Sequence, residues 1–180
     1  MDEKYAIPQG SLISYFSNKV KQEGGINLAQ GIPGFQPPTE LLDILNTLTH
    51  ANIHQYAPGN GNLKLLHLLH NKYKNFGVEE RNILVVQGVT EAISLLYIYF
   101  KQIIKENFSV LAFDPVYETY SNIPKIFGDQ FIPFSFEHGK INFQKLEECI
   151  QQKQVRVFYV ASPGNPYGRI FSKAELDTII

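Results

Sequence analysis

From about residue 80 onward, short apolar runs alternate with amphipathic segments, the pattern of βα units that build a mostly parallel sheet. "NILVV" (82–86), "SVLAF" (109–113), "QFIPFSF" (130–136) and "VRVFYVA" (155–161) read as strands. Pro133 lacks a backbone N–H, so the third of these is expected at a sheet edge or to be short. Between the strands, "QGVTEAISLLYIYFKQIIK" places Val89, Ala92, Ile93, Leu96, Phe100, Ile103 and Ile104 at helical spacing. A second helix is expected within "DPVYETYSNIPKIFG", closed by Gly128, and a third over "NFQKLEECIQQ". The last, "SKAELDTII", opens with Ser172 as N-cap and Glu175 three residues on, a capping-box spacing.

The first eighty residues follow a different pattern. "GINLAQGIPGFQPP" is rich in glycine and proline, and "TELLDILNTL" and "NLKLLHLLHNKYKNF" supply two helices with no strand between them. This predicts an N-terminal arm and helices beside the sheet. The expected division is residues 1–45 as arm and start of a small domain, and 46–180 as the first part of a larger α/β domain. The chain stops at "AELDTII", inside an apparent helix directly after a strand, and so reads as the front portion of something larger.

Composition narrows the function classes. With 44% hydrophobic and 18% charged residues the chain is globular rather than disordered. A net charge of -1 with no basic stripe argues against nucleic acid as a partner. No apolar run is long enough to span a bilayer, and "MDEKYAIPQG" lacks the apolar core of a signal peptide, so a cytoplasmic location is expected. The single cysteine, Cys149, gives neither an internal disulfide nor a metal-ligand spacing.

In open α/β sheets ligands bind beyond the C-terminal ends of the strands. Three loops there stand out. In "QGVTEA" (87–92) a glycine marks the passage from strand to helix, which leaves the N–H groups of Gly88, Val89 and Thr90 free to meet an anion; equally, Thr90 can simply cap the helix. The spacing is neither GxGxxG nor a Walker loop. "DPVYETY" (114–120) offers tyrosines three apart, which suit packing or, at the strand end, stacking on a flat ring. In "SPGNPYG" (162–168), Asn165 sits in a rigid turn with an amide that donates or accepts but never changes charge. It suits holding an oxygen of a planar ligand, although Asn-Pro is also an ordinary turn starter.

"QGIPGF" (30–35), "QYAPGNG" (55–61), "QGVTEA", "DPVYETY" and "SPGNPYG" occur in the order and spacing of the class I/II, fold-type-I aminotransferases, which depend on pyridoxal phosphate. The resemblance covers nearly the whole chain and is greatest to the methionine, glutamine or kynurenine branch. It implies a three-layer α/β sandwich with a mostly parallel sheet, and amino transfer between an amino acid and a 2-oxo acid by a ping-pong cycle. It implies, too, that Gly88, Val89 and Thr90 hold the cofactor's phosphate, that Tyr117 stacks on its ring, and that Asn165 bonds the ring's phenolic oxygen. Gly31 would present its N–H to the substrate carboxylate, Asn165 would also contact the substrate, and Ile32, Phe35 and Tyr56 would line part of the pocket. Tyr56 would reach the phosphate of a neighbouring subunit, making a homodimer with shared sites. Pro115 and Pro166 match positions that often carry cis bonds in such proteins.

The sequence also departs from the family pattern. Gln87 stands where many relatives have Ser or Thr, and Tyr167 where they have Thr. The family's Schiff-base lysine and its carboxylate-clamping arginine lie well beyond the asparagine turn; here only Lys173 follows it, so no catalytic residue is expected within these 180 residues and the chain alone is expected to be inactive. Two alternatives stay open: a non-catalytic relative serving as an interaction or regulatory module, and another reaction, elimination or decarboxylation, on the same scaffold.

Overall fold

The computed structural model describes residues 10–180, which form two compact units, one ending at Asn62 and one spanning Leu63–Ile180. In the first unit, α1 (Leu12–Glu23) begins where Ser11 accepts a hydrogen bond from the Ser14 N–H and ends at Gly24, whose φ of 78° a residue with a Cβ rarely adopts. The sequence pattern did not single out this helix within residues 1–45. Its two punctuating residues, Ser11 and Gly24, were the available signals. Ser17 is buried on this helix and accepts from the Asn27 amide at 2.9 Å, while its own hydroxyl donates to Gln30 at 3.3 Å. That polar chain fixes the "INLAQ" segment against α1. Next comes α2 (Thr39–Thr49), with Pro38 at its N-cap and Glu40 in its first turn.

The second unit opens with α3 (Leu63–Tyr73), anchored by the buried Leu66, and two short 3₁₀ turns, Lys74–Phe76 and Glu80–Asn82. The remaining elements alternate: α4 (Gly88–Ile103), β1 (Ser109–Asp114), α5 (Glu118–Ile126), β2 (Gln130–Ser135), α6 (Phe143–Gln152), β3 (Val155–Tyr159) and α7 (Lys173–Ile179). The three strands form a parallel sheet in the order β2-β1-β3, with Val110 opposite Phe131 and Val157, and Ala112 opposite Pro133 and Tyr159. Pro133 therefore lies on an edge strand, where its missing donor is tolerated.

β1 is the centre of the unit, and its alternate residues serve two cores. Val110 packs with Ile93, Tyr97, Phe108, Ile123 and Val157 on one face; Leu111 and Phe113 pack with Ile141, Leu146 and Phe171 on the other. The result is the three-layer α/β architecture, in incomplete form. Tyr97 is wholly buried, and its hydroxyl donates to Asp129 at 2.7 Å; Lys101 reaches the same carboxylate at 2.9 Å. A buried carboxylate needs such partners, and these two tie α4 to the α5–β2 junction.

Two expectations are corrected here. Residues 82–86 form no strand: Asn82 ends a 3₁₀ turn, and Leu84 and Val85 are exposed without a ladder partner among the described residues. An apolar run becomes a strand only where a neighbouring edge takes its hydrogen bonds. The buried stripe of α4 also differs in part from the expected face, sharing Ile93, Phe100 and Ile104 with it. It runs through Ile93 and Tyr97, with Phe100 and Ile104 partly covered, while Val89, Leu96 and Ile103 are exposed. Among the described residues no helix is long and apolar enough to cross a membrane.

Candidate functional site

The C-terminal ends of β1 and β3 carry two of the three loops singled out in the sequence, and the third leads into α4. Gly88 opens α4 with φ at 85°, a left-handed conformation that turns the chain into the helix. Gln87 supplies no side-chain cap; instead its N–H donates to the Glu91 carboxylate. The next three N–H groups, of Gly88, Val89 and Thr90, have no intrahelical acceptor by the geometry of a helix start, and all three residues are exposed. Thr90 lies inside the helix and is not its cap. Its hydroxyl instead meets that of Tyr117 at 3.1 Å.

Tyr117 stands in extended conformation immediately before α5, after a cis Asp114–Pro115 bond. Hydrogen bonds with Thr119 and Thr90 hold its phenol below the ordinary tyrosine range. Tyr120, one turn on, meets the Tyr117 ring edge-on at 5.8 Å and stacks on Tyr159 at 4.7 Å with 19° between planes. Burial pushes the Tyr120 phenol up, and pushes that of Tyr159 up to about 12.

"SPGNPYG" is a closed turn. The Gly164 N–H donates to the Arg169 carbonyl at 2.8 Å, the Gly168 N–H to the Gly164 carbonyl at 2.6 Å, and the Phe171 N–H to the Ser162 hydroxyl at 3.2 Å. The Asn165–Pro166 and Ser162–Pro163 bonds are cis; the family resemblance implied cis bonds at Pro115 and Pro166, and Pro163 adds a third. Asn165 is exposed, and among the described residues its side-chain amide makes no hydrogen bond. It borders a cavity of about 30 Å³ together with Pro115, Tyr120, Tyr159 and Tyr167. Tyr167, the bulky departure, lies edge-on to Phe136 at 6.4 Å.

Arg169 was not singled out in the sequence, yet it holds this turn. Its guanidinium lies 4.7 Å from the Phe136 ring and 5.3 Å from Phe171, pairs with Glu175 at 2.6 Å and donates to the Gly139 carbonyl. Glu175 in turn completes the capping box with Ser172, as the sequence spacing predicted, and hydrogen bonds from Ser172 hold its carboxyl below the usual range. Tyr159, which borders the cavity and stacks on Tyr120, was also not singled out in the sequence. A tyrosine in a buried strand, where phenylalanine would pack equally well, was the available signal.

The structure thus joins Thr90 to Tyr117 and places Asn165 beside Tyr120 and Tyr159. Gly31, Ile32, Phe35 and Tyr56 belong to the first unit, on stretches outside its helices, and are exposed. Lys173 begins α7 and spends its ammonium on Asp177 at 2.5 Å, well exposed.

The family described as aminotransferase class I and II matches residues 23–180. The chain is 27% identical to a kynurenine–oxoglutarate transaminase of Dictyostelium discoideum, over 91% of this chain and 42% of that protein. It is 25% identical to the methionine aminotransferase of Escherichia coli, over 94% of this chain and 46% of that one. In fold, it superposes on N-succinyldiaminopimelate aminotransferase from Mycobacterium tuberculosis with a TM-score of 0.80 at 24% identity, covering 95% of this chain and 46% of that one. The chain spans less than half the length of these relatives. With its α/β architecture and its strand-end loops in the order the motifs required, the chain belongs to the aminotransferase class I and II family.

Proposed function

We propose that these residues are the N-terminal part of a pyridoxal-phosphate-dependent aminotransferase that exchanges an amino group between an amino acid and a 2-oxo acid in a ping-pong cycle. The observation that carries this reading is the contact of Thr90 with Tyr117, which puts an aromatic ring beside a helix start with three free N–H groups. That donor set fits the cofactor. Exposed N–H groups at a helix N-terminus and a hydroxyl suit a phosphate, an aromatic ring suits the face of a pyridine, and the unpartnered Asn165 amide suits a ring oxygen. Bound there, pyridoxal 5'-phosphate supplies an electron sink for bond breaking at the amino acid α-carbon and a carbon that carries the amino group.

The chain's own residues bind and orient. Gly88, Val89 and Thr90 take the phosphate, and Tyr117, steadied by Thr90 and by the edge of Tyr120, fixes the ring plane. Asn165, held by a turn closed at both ends, keeps its amide in place without exchanging protons. Proton transfer at the α-carbon falls to a group outside this set, because Lys173 is turned to Asp177 and no lysine borders the cavity. Gly31 and Ile32 are assigned to the substrate carboxylate and side chain, and Tyr56 to the phosphate of a second subunit in a cytoplasmic homodimer, on the strength of the family motifs. Residues 46–180 are assigned to the large cofactor-binding domain on the same ground.

The test is made on the protein as its own cell produces it. Titration with pyridoxal 5'-phosphate should give a saturable absorption change, and a panel of amino acids with 2-oxo acids should show transfer. A protein that takes up the cofactor and eliminates or decarboxylates instead would replace the reaction; one that takes up none would remove the reading.

A further inference from the structure

Tyr117 is anchored at both ends of its side chain, and neither anchor sets the plane of its ring. At the near end, its carbonyl accepts the Tyr120 N–H at 2.9 Å, which fixes the backbone and with it the Cβ. At the far end, its hydroxyl meets that of Thr90 at 3.1 Å. A tyrosine ring turns about the axis that runs from Cβ through the phenolic oxygen, and that torsion has broad energy wells. Both anchors lie on this axis. They fix where the ring sits and do little to fix how it is turned.

Stacking a flat ligand on a ring that turns freely costs the entropy of that rotation, so the plane has to be held from the side. Tyr120 is placed to do this. From the first turn of α5 its ring lies 5.8 Å from that of Tyr117 with 89° between planes, an edge-to-face arrangement that aromatic pairs favour and that turning the Tyr117 ring would break. Tyr120 is held in its turn, stacked on Tyr159 at 4.7 Å with 19° between planes. Tyr159 is the last residue of β3, opposite Ala112 of the central strand. Three rings thus lead from the sheet to Tyr117, and both contacts of Tyr120 are made by its ring rather than its hydroxyl.

We propose that Tyr120 is a positioning residue for the cofactor ring: braced on Tyr159, it sets the plane in which Tyr117 stacks on pyridoxal 5'-phosphate. This rests on the function proposed above. Tyr120 acts through Tyr117 alone, so it serves the ring of the cofactor and not its phosphate, which is assigned to the start of α4. Any flat ring at position 120 meets the requirement, and a side chain that fills the space without being flat does not.

The experiment compares the wild type, Tyr120→Phe and Tyr120→Met, each in the protein as its cell makes it. Pyridoxal 5'-phosphate and, separately, inorganic phosphate are titrated by calorimetry, and the circular dichroism of the bound cofactor is recorded. Methionine packs without a flat face, so Tyr120→Met should raise the Kd for pyridoxal 5'-phosphate about 3- to 10-fold, the worth of one aromatic pair, and lower the cofactor's dichroism, with phosphate affinity unchanged. Tyr120→Phe keeps the ring and should match the wild type in all three measurements. An unchanged cofactor Kd in Tyr120→Met overturns the proposal, and so does an equal loss of phosphate and cofactor binding, which would make the effect a general loosening of the site. Weaker cofactor binding in Tyr120→Phe overturns it as well, by moving the role to the hydroxyl, and this arm decides even if Tyr120→Met does not fold. A wild type that binds no pyridoxal 5'-phosphate sinks the function itself, an outcome distinct from these three.

Discussion

Thr90, in the first turn of α4, and Tyr117, just ahead of α5, bring their hydroxyls to 3.1 Å across 27 residues of sequence. A helix start and an aromatic ring are thereby held in one geometry before any ligand arrives, which lowers the entropy lost on binding. Replacing Thr90 with Val removes the hydroxyl at nearly constant volume. It should weaken pyridoxal 5'-phosphate binding about 3- to 10-fold, in line with one hydrogen bond. Tyr117→Phe should cost a similar factor, and the two changes together little more than either alone, since both delete one contact. Titration of the four proteins of this cycle decides it, and strictly additive losses would show that the contact does not organise the site.

Gly88 tests the helix start from the backbone side. Its φ of 85° is costly for a residue with a Cβ, while the space around such an atom is open. Gly88→Ala should therefore destabilise the protein by about 1–2 kcal/mol through backbone strain alone. Because the N–H groups at the start of α4 would re-aim, phosphate binding should fall with it. Urea unfolding and phosphate titration measure the two effects, and a variant as stable as the wild type would show that this turn tolerates a side chain.

What could be read from the sequence was mostly local. Pro133 pointed to an edge strand, Gly128 follows the end of α5 with a φ of 76°, and Ser172 with Glu175 makes a full capping box. Each is a rule about neighbours within a few residues. Tyr97 and Asp129, 32 residues apart, could not be paired in advance, and without that pair the apolar face of α4 was drawn through Leu96 instead of Tyr97, although Ile93, Phe100 and Ile104 were on it. Residues 82–86 failed for the same reason: their apolar character is local, but a ladder partner is not. Around the candidate site, Thr90, Tyr117 and Asn165 were singled out as motif residues. Arg169 and Tyr159 were not, because their contacts with Phe136, Gly139 and Tyr120 are brought together by the fold alone.

Arg169 binds the asparagine turn to two other elements, through Gly139 and through Glu175 at the start of α7. Arg169→Met keeps much of the packing between Phe136 and Phe171 but loses both polar anchors. The expected outcome is a loss of about 1–3 kcal/mol in stability and a weaker hold on pyridoxal 5'-phosphate through a looser Asn165. In an Asn165→Ala background the stability loss should persist while the binding loss disappears. If Arg169→Met still weakens binding there, its influence does not pass through Asn165.

The buried tyrosines give the protein an alkaline limit. Tyr97 and Tyr159 are both raised first of all by burial, Tyr97 further by the Asp129 carboxylate that accepts its proton, and Tyr120 is raised by burial as well. A phenol whose value in the fold lies above that in the unfolded chain favours folding only while the unfolded form is also protonated. Its contribution is complete below about pH 10, the ordinary tyrosine value, and is lost as pH climbs beyond it. For Tyr159 the loss runs from there to about 12. Stability measured by urea unfolding should thus fall steeply from pH 10 upward. Tyr159→Phe, with nothing to ionise at that position, should make the fall shallower, and Tyr97→Phe shallower again, although Tyr97→Phe also starts lower at pH 7 because Asp129 loses a donor. Curves that stay parallel for all three proteins would mean that these phenols ionise in the fold as freely as they do in water.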